Sequence, residues 1–237
     1  MIPRDNRIDF ISAYCDNRCE RCAFTERCSH FAVQCAEAMC DGDFKAALEL
    51  ALGAAPTPGG ERQKTVGERM AEAFGDYEPS EKELDEIGRE MDERDRRVRR
   101  HPLAEASMDY TVASRRWLEE HVRCAGELNA AIRDAVDVIG WDSPLIHVKI
   151  VRALNGRDED PIGRWFRSAV QNDWNGSAKV ALISMDRSEQ AWRTVAAVLG
   201  DDASAALAES LSRLREDTMR EFPRAMDFRR PGFDDPA

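Results

Sequence analysis

The chain has 237 residues, with 34 basic and 45 acidic side chains and a formal net charge of −11. Because binders of nucleic acid or anionic membranes need an excess of Lys and Arg, this charge argues against both classes. A hydrophobic fraction of 43% argues against global disorder, and 33% charged with 7% aromatic residues favours helices over sheets. No apolar run reaches the ~18 residues of a transmembrane helix, and the N-terminus lacks the apolar core of a secretory signal, so we expect a cytoplasmic protein.

The cysteines are concentrated near the start of the chain, where six of the seven lie between residues 15 and 40. The segment YCDNRCERCAFTERC holds Cys15, Cys19, Cys22 and Cys28 in the pattern C-x3-C-x2-C-x5-C. An odd number of cysteines in a cytosolic chain argues against a disulfide framework. We therefore interpret these four thiols as candidate metal ligands.

The spacing predicts that the thiols share one side of a helix. Cys15, Cys19 and Cys22 lie at positions i, i+4 and i+7, which places three sulfurs on one helical face. Cys28 would complete the set from the following turn or from the start of the next helix. Arginines nearby would offset the negative charge of a thiolate cluster. They are Arg18, Arg21 and Arg27.

The arrangement of the four thiols favours one kind of inorganic centre. Zinc often takes two separated C-x2-4-C pairs, whereas this segment has one C-x2-C pair with all four thiols in a single run. Compact single-run sets are more typical of iron–sulfur clusters, whose larger core lets nearby thiolates reach different irons. We predict a [4Fe–4S] cluster on Cys15, Cys19, Cys22 and Cys28. Zinc on the same thiols is the alternative, and buried thiols without metal are a third interpretation.

The stretch Cys19-x2-Cys22-x5-Cys28 resembles the C-x2-C-x5-C portion of SPASM-type auxiliary-cluster domains of radical-SAM enzymes, over about ten residues. The resemblance implies [4Fe–4S] binding. The radical chemistry does not carry over, because the radical-SAM barrel and its own cysteine motif are absent from the sequence. The longer segment YCDNRCERCAFTERC is also similar to the cysteine-rich start of uncharacterised bacterial helical proteins, which implies a structural unit and no particular activity.

Other thiols and one histidine are secondary candidates. Cys35 follows Cys28 by seven residues on roughly the same helical face, so it could replace a ligand or pack beside the site. Cys40 precedes a helix break and is interpreted as structural. His30 is a possible alternative ligand, although a solvent-facing histidine is the simpler interpretation. Cys124 is a candidate nucleophile outside the cluster.

Apolar residues at helical intervals divide the rest of the chain. They predict helices over residues 29–54, 61–76, 80–100, 103–123, 125–140, 143–156, 178–200 and 205–222. Residues 54–60 read as a linker because Pro and Gly disfavour both helix and strand. We expect a cysteine-rich segment over 1–53, a helical bundle over 61–222 and an irregular tail over 223–237.

Capping residues predict several helix ends. Ser80 and Glu83 form a capping-box pattern, and Gly140 is a natural helix end. Ser143 followed by Pro144 predicts a new helix that Gly156 closes. Residues 157–176 are predicted to form a long loop that carries Trp165 and Trp174. The loop is either a lid or docking loop, or an ordinary connection whose two tryptophans fill the core. Asn175-Gly176-Ser177 is predicted to begin the next helix.

The predicted helix 80–100 is the most polar element, since 15 of its 21 residues are charged. Its first half is acidic and its last turns hold five arginines, an order that matches the helix dipole. We interpret the arginines as dipole and ion-pair partners rather than as a nucleic-acid contact. His147, among apolar neighbours, is interpreted as a core histidine.

Together these patterns predict an all-α bundle of about eight helices with a cysteine-rich segment at one end. No Gly-rich phosphate loop, zinc-protease or serine-hydrolase motif is present, and the sequence names no reaction. We expect a cluster-binding protein that acts in electron transfer or redox sensing toward a protein partner. The alternative is a helical interaction module with structural zinc, and a third possibility is an enzyme with three cysteine ligands and an open iron.

Overall fold

The computed structural model describes Ile8 and residues 11–52, 80–122, 130–159 and 168–234. The predicted linker 54–60, the predicted helix 61–76, Cys124 and Trp165 lie outside these residues.

The fold is all-α, as the sequence predicts. The helices are α1 Ile11–Tyr14, α2 Ser29–Met39, α3 Phe44–Leu52, α4 Glu81–Arg99, α5 Pro102–Val122, α6 Ala130–Glu159, α7 Asp173–Leu199 and α8 Asp202–Glu221. Within the described ranges, seven of them have nine or more residues, so the count is slightly below the eight that we expected. None of these helices is long and apolar enough to cross a membrane.

Contacts divide the chain into two units. The first contains Met1–Ser12 and Asn17–Glu90, and the second contains Ala13–Asp16 and Met91–Ala237. In the first unit, α2 and α3 pack through buried alanines, with Val33 and Cys40 against them. The buried alanines are Ala36, Ala47 and Ala51. These side chains are small, so the contact between α2 and α3 buries little apolar area.

The second unit is a four-helix bundle. Helix α5 packs against α6 and α8, and α7 also packs against α6 and α8, so each helix has two neighbours. Ile139, Ile146 and Ile150 of α6 and Leu182 and Met185 of α7 are almost completely buried. Their spacing of three, four or seven residues places them on one face of each helix.

The polar ends of three large aromatic side chains inside this bundle are hydrogen-bonded. The Trp117 indole donates to the Asp201 carboxylate at 2.7 Å, and Asp201 also caps α8. The Trp192 indole donates to the Tyr110 hydroxyl at 2.9 Å, which donates to Ser188 at 3.4 Å. These bonds lower the cost of burying the polar ends of large aromatic side chains.

Helix α4 has the predicted capping box. The Ser80 backbone N–H donates to the Glu83 carboxylate at 2.9 Å, and the Glu83 N–H donates to the Ser80 hydroxyl at 3.3 Å. In the arginine-rich last turns, Arg97 pairs with Asp158 at 2.9 Å.

Helix α6 corrects the predicted break at residues 140–143. The chain runs as one helix through Gly140, Ser143 and Pro144, and Gly156 lies inside it. The Ser143 hydroxyl donates to the Ile139 carbonyl at 2.7 Å, the usual back-bond of a serine inside a helix. At Gly156 an added Cβ would lie 3.6 Å from Trp174 Cβ, an ordinary contact distance, and the helix continues past this glycine to Glu159.

Helix α7 begins earlier than predicted. Its N-cap is Asn172, whose side chain accepts from the Asn175 N–H at 2.9 Å. Asn175, Gly176 and Ser177 are therefore buried helical residues rather than a turn. Trp174 is buried in the core, as its interpretation as a plug predicts. Gly200 ends the helix in the left-handed region at φ 65°, as predicted.

The residues after α8 form an irregular strap against α7. Phe222 and Phe228 are buried, and Lys179 donates to the Phe228 carbonyl and to Asp234. Gln171 exchanges two hydrogen bonds with the Arg229 backbone, at 2.9 and 2.7 Å. The described part of the predicted tail is thus held by specific bonds.

Candidate metal centre

The thiol segment is not the helix that the spacing predicted. Helix α1 ends at Tyr14, residues 15–18 have no regular structure, and short 3-10 turns cover Cys19–Arg21 and Thr25–Arg27. Asn17 adopts a left-handed conformation with φ 56°, which Asn tolerates better than most residues and which an α-helix cannot include. The three thiols at i, i+4 and i+7 therefore do not share one helical face.

Cys19 and Cys22 are joined by a single turn. The Cys22 N–H donates to the Cys19 carbonyl at 3.2 Å, and the Phe24 N–H donates to Cys22 Sγ at 3.4 Å. Cys19 Sγ lies 3.9 Å from the Gln34 side-chain oxygen. A C-x2-C turn with a backbone N–H directed at sulfur is the local geometry that metal-binding thiolates use.

Cys28 occupies the start of α2, one of the two positions predicted for it. Its Sγ accepts from the Phe31 N–H at 3.3 Å, so the cysteine is the N-cap of the helix. Ile8 pairs with this residue in an isolated parallel bridge, with its N–H bonded to the Arg27 carbonyl at 3.0 Å. The helix N-terminus directs positive partial charge toward the sulfur.

Cys15 belongs to the second unit, whereas the other three predicted ligands belong to the first. Cys15 is 9% exposed. In the same unit, Lys149 lies near it and is itself only 3% exposed. Burial lowers the pKa of Lys149 to about 8, although the nearby Cys15, Asp173 and Asp16 favour its charged form.

The secondary candidates differ in their surroundings. Cys35 is exposed, whereas Cys40 is half-buried against the α2–α3 core. His30 is also half-buried. None of the six cysteines that the structure describes forms a disulfide bond.

The predicted ligands do not form a preformed metal site. Among the described residues, no three His, Cys, Asp or Glu side chains are grouped so that they could hold a metal ion. The arginines of the thiol segment also differ, since Arg18 is 8% exposed, Arg27 is half-buried and Arg21 faces solvent. A metal on these thiols would have to draw them together as it binds.

His147, which we interpreted as a core histidine, is only half-buried. Its Nδ1 lies 2.9 Å from the hydroxyl of Ser107, a residue with no exposed surface. Burial lowers the pKa of His147, and a bond to the Ala104 backbone opposes that shift. Since a substrate cannot reach Ser107, this pair does not make a nucleophile and base.

Sequence reasoning missed two basic side chains of the bundle that contact residues 13–16. Lys149 donates to the Ala13 carbonyl and Arg187 to the Asp16 carboxylate, and both lie more than one hundred residues away along the chain. The only local signal is a lysine at a core position of the apolar run IHVKIV.

No protein-family model matches the chain, and neither a curated protein nor a solved structure shows significant similarity to it.

Proposed function

We propose that the chain binds a [4Fe–4S] cluster through Cys19, Cys22 and Cys28, with Cys15 as the fourth ligand that the sequence spacing predicts. The function is one-electron exchange with, or redox signalling to, a protein partner. The observation that carries the proposal is that two of these sulfurs, in Cys22 and Cys28, already accept backbone N–H bonds at 3.4 and 3.3 Å.

These bonds support a thiolate site for a physical reason. Backbone N–H groups directed at sulfur offset the negative charge of bound thiolates and are among the features that set a cluster's potential. A thiol that only fills space in a core has no need of such donors. The buried Arg18 adds positive charge beside Cys19 in the chain.

The separated thiols imply that the site assembles on loading. Ligand binding then contributes folding free energy to the thiol segment, as it does in small metal-binding domains. The turns of Cys19–Arg21 and Thr25–Arg27 are short and largely free of apolar packing, so they can adjust at modest cost.

Anaerobic purification tests the proposal. The full chain should be brown, with about four iron and four sulfide per chain. Cys22→Ser and Cys28→Ser should each lose most of this iron, whereas the matched control Cys35→Ser, which changes an exposed thiol on α2, should retain it. A colourless chain without iron would refute cluster binding.

Cys15→Ser distinguishes two forms of the site. Loss of the cluster in this variant supports four cysteine ligands. Retention of an iron–sulfur centre supports three cysteine ligands with an open iron, as an enzyme that uses the cluster as a Lewis acid would need.

Structural zinc in a protein-interaction module is the second candidate. It is favoured by the single tight turn that joins Cys19 and Cys22, which is the shape of a zinc knuckle. Metal analysis would then find about one zinc and no sulfide, and a chelator should unfold the thiol segment. Identical melting of metal-free and metal-loaded protein would exclude this candidate.

A further inference from the structure

Two side-chain contacts fix how α5 and α6 lie against each other within the second unit. In the first contact, the hydroxyl oxygen of Ser107 lies 2.9 Å from Nδ1 of His147. In the second, the Thr111 hydroxyl donates to the Ser143 carbonyl at 2.9 Å. The second contact comes later in α5 and earlier in α6, so the two helices run antiparallel.

The residues that directly follow these four contact residues form an exposed apolar patch. Each step along a helix turns the side chain by about 100°, and in two antiparallel neighbours this turn leads to the same side of the pair. The α5–α6 patch therefore consists of Met108, Val112, Pro144 and Val148. Their exposed fractions are 44% for Met108, 51% for Val112 and 57% for Val148, and Pro144 is also exposed.

Charged side chains flank the patch with opposite signs on the two helices. On α5, the exposed Glu105 precedes the apolar residues and the exposed Arg116 follows them. On α6 the order along the chain is also acidic and then basic, with Asp137 before and Arg152 after. Because the helices are antiparallel, Glu105 lies within about one helical turn of the height of Arg152, and Arg116 lies near the height of Asp137. Each end of the patch thus carries both signs of charge.

We propose that the α5–α6 patch is the contact surface of a homodimer in which α5 of each copy lies along α6 of the other. A two-fold axis parallel to the helices gives this arrangement, because it exchanges the two helices and keeps the height of every residue. Met108 and Val112 of one copy then pack against Val148 and Pro144 of the second copy. The inference does not depend on the proposed function, since no cysteine belongs to the patch.

The flanking charges identify a second copy of this chain as the partner. In the two-fold arrangement, Arg116 of one copy faces Asp137 of the other, and Glu105 faces Arg152. Symmetry makes each of these pairs occur twice. The side chains of Glu105 and Arg116 form no ion pair within the described part of their own chain, so both are available to the second copy. Opposite charges around an apolar centre favour this partner over one with an unrelated order of charges.

The size of the face sets the expected strength of the dimer. Helix α5 has 21 residues. At 1.5 Å per residue it is about 31 Å long, and two adjacent helices are about 20 Å wide. The face therefore covers roughly 600 Å² per copy, somewhat less than the ~800 Å² of a standard interface. We expect a reversible dimer with a dissociation constant on the order of 10 µM.

Sedimentation equilibrium of the reduced full chain tests the proposal. Between about 1 and 200 µM the chain should change from monomer to dimer. Val148→Glu should raise the dissociation constant about tenfold or more, because it places an unpaired carboxylate in the contact. The matched control is Val198→Glu, which changes a valine of α7 that is 47% exposed and lies outside the patch. This control should dimerise within about twofold of the unaltered chain.

Exchange of charges tests the two-fold arrangement independently. Arg116→Glu and Asp137→Arg each bring like charges together at two symmetric places, so each variant alone should dimerise about fivefold or more weakly. When the two variants are mixed, every Glu or Arg that was introduced faces an opposite charge. The mixture should therefore dimerise about as tightly as the unaltered chain. Circular dichroism of each variant shows that weaker association does not come from unfolding.

Three results would overturn the proposal. The first is a chain that stays monomeric at the highest concentration, whether another partner or only solvent then meets the patch. The second is a dimer that Val148→Glu leaves intact or that Val198→Glu weakens equally, because the contact would then lie elsewhere. The third is a mixture of Arg116→Glu and Asp137→Arg that associates no better than either variant alone. None of these results bears on whether the cysteines bind a cluster.

Discussion

Gly176 and Gly88 are both helical glycines, yet their surroundings give them opposite roles. A Cβ on Gly176 would lie 3.0 Å from Phe228 Cζ, whereas a Cβ on Gly88 would meet nothing within 4 Å. The first glycine allows the strap to approach α7 closely. The second only lowers the helix propensity of the exposed α4.

Alanine at these two positions should therefore shift stability in opposite directions. Gly176→Ala should lower the free energy of unfolding by about 1–3 kcal/mol, because it displaces a buried aromatic ring. Gly88→Ala should raise the stability of α4 by up to about 1 kcal/mol. Urea unfolding followed by circular dichroism measures the first, and amide exchange within α4 measures the second. A stabilised Gly176→Ala would show that Phe228 is not tightly packed there.

At the scale of elements, α6 shows how neighbours override a local break signal. Pro144 lacks an N–H and would ordinarily end or kink a helix. The helix continues because apolar residues on both sides of the proline enter one core, and Thr111 of the neighbouring helix donates to the Ser143 carbonyl at 2.9 Å. The bundle thus outweighs a local cost of about 3 kcal/mol.

Removing this proline should strengthen the helix. Pro144 is exposed, so Pro144→Ala loses no core packing and restores one backbone donor. We expect the midpoint of thermal unfolding to rise. The free energy of unfolding should increase by about 1–2 kcal/mol, because the greater conformational entropy of the unfolded variant offsets part of the gain in helix stability. A lower midpoint would mean that the proline ring itself stabilises the bundle.

The ionisation of Asp234 in the strap should make the stability of the fold depend on pH under acid conditions. Burial alone would raise the pKa of Asp234, but hydrogen bonds from Arg230 and Lys179 together outweigh it and lower the pKa below its usual value. The carboxylate is therefore more acidic in the folded state than in the unfolded state. Its stabilisation is complete above the unfolded value of about 3.9 and is lost as the pH falls through the folded value.

Asp234→Asn should lower stability at pH 7, and the difference from the unaltered chain should narrow as the pH falls below about 4. Asp227→Asn is a suitable control, because Asp227 forms an exposed pair with Arg224 in the same strap. That variant should differ little from the unaltered chain at either pH. A gap for Asp234→Asn that stays constant between pH 7 and pH 3 would contradict the assigned ionisation.

At the scale of the whole molecule, the two units have very different cores. The described core of the first unit centres on three buried alanines, whereas the second buries tryptophan, isoleucine and leucine side chains from four helices. Since apolar burial is the main favourable term in folding, the first unit should open at a lower free energy.

Amide hydrogen exchange checks this difference. In metal-free protein, amides of α2 and α3 should exchange faster than those in the middle of α6 and α7. Metal loading should slow exchange in residues 19–39 of the unaltered chain, and it should have little effect in Cys22→Ser. Equal protection of both units without metal would contradict the inference from core size.

The sequence determined the features that depend on neighbours along the chain. Helical periodicity predicted the all-α class, and the capping box at Ser80 and the helix end at Gly200 are both present, because each depends on atoms within a few residues. The same local reasoning identified the dense group of cysteines, and metal binding by that group stays a prediction.

Only the tertiary structure decided the features that depend on distant residues. It kept α6 continuous through Pro144, and it showed that the cysteine segment forms turns rather than a helix. It also brought Arg187 and Lys149 to the segment around Cys15, more than 130 residues away in the chain. The partners that offset the cost of burying these two side chains are distant in the chain. The spacing of the thiols therefore predicts a metal centre, but it cannot identify the side chains that hold residues 13–16.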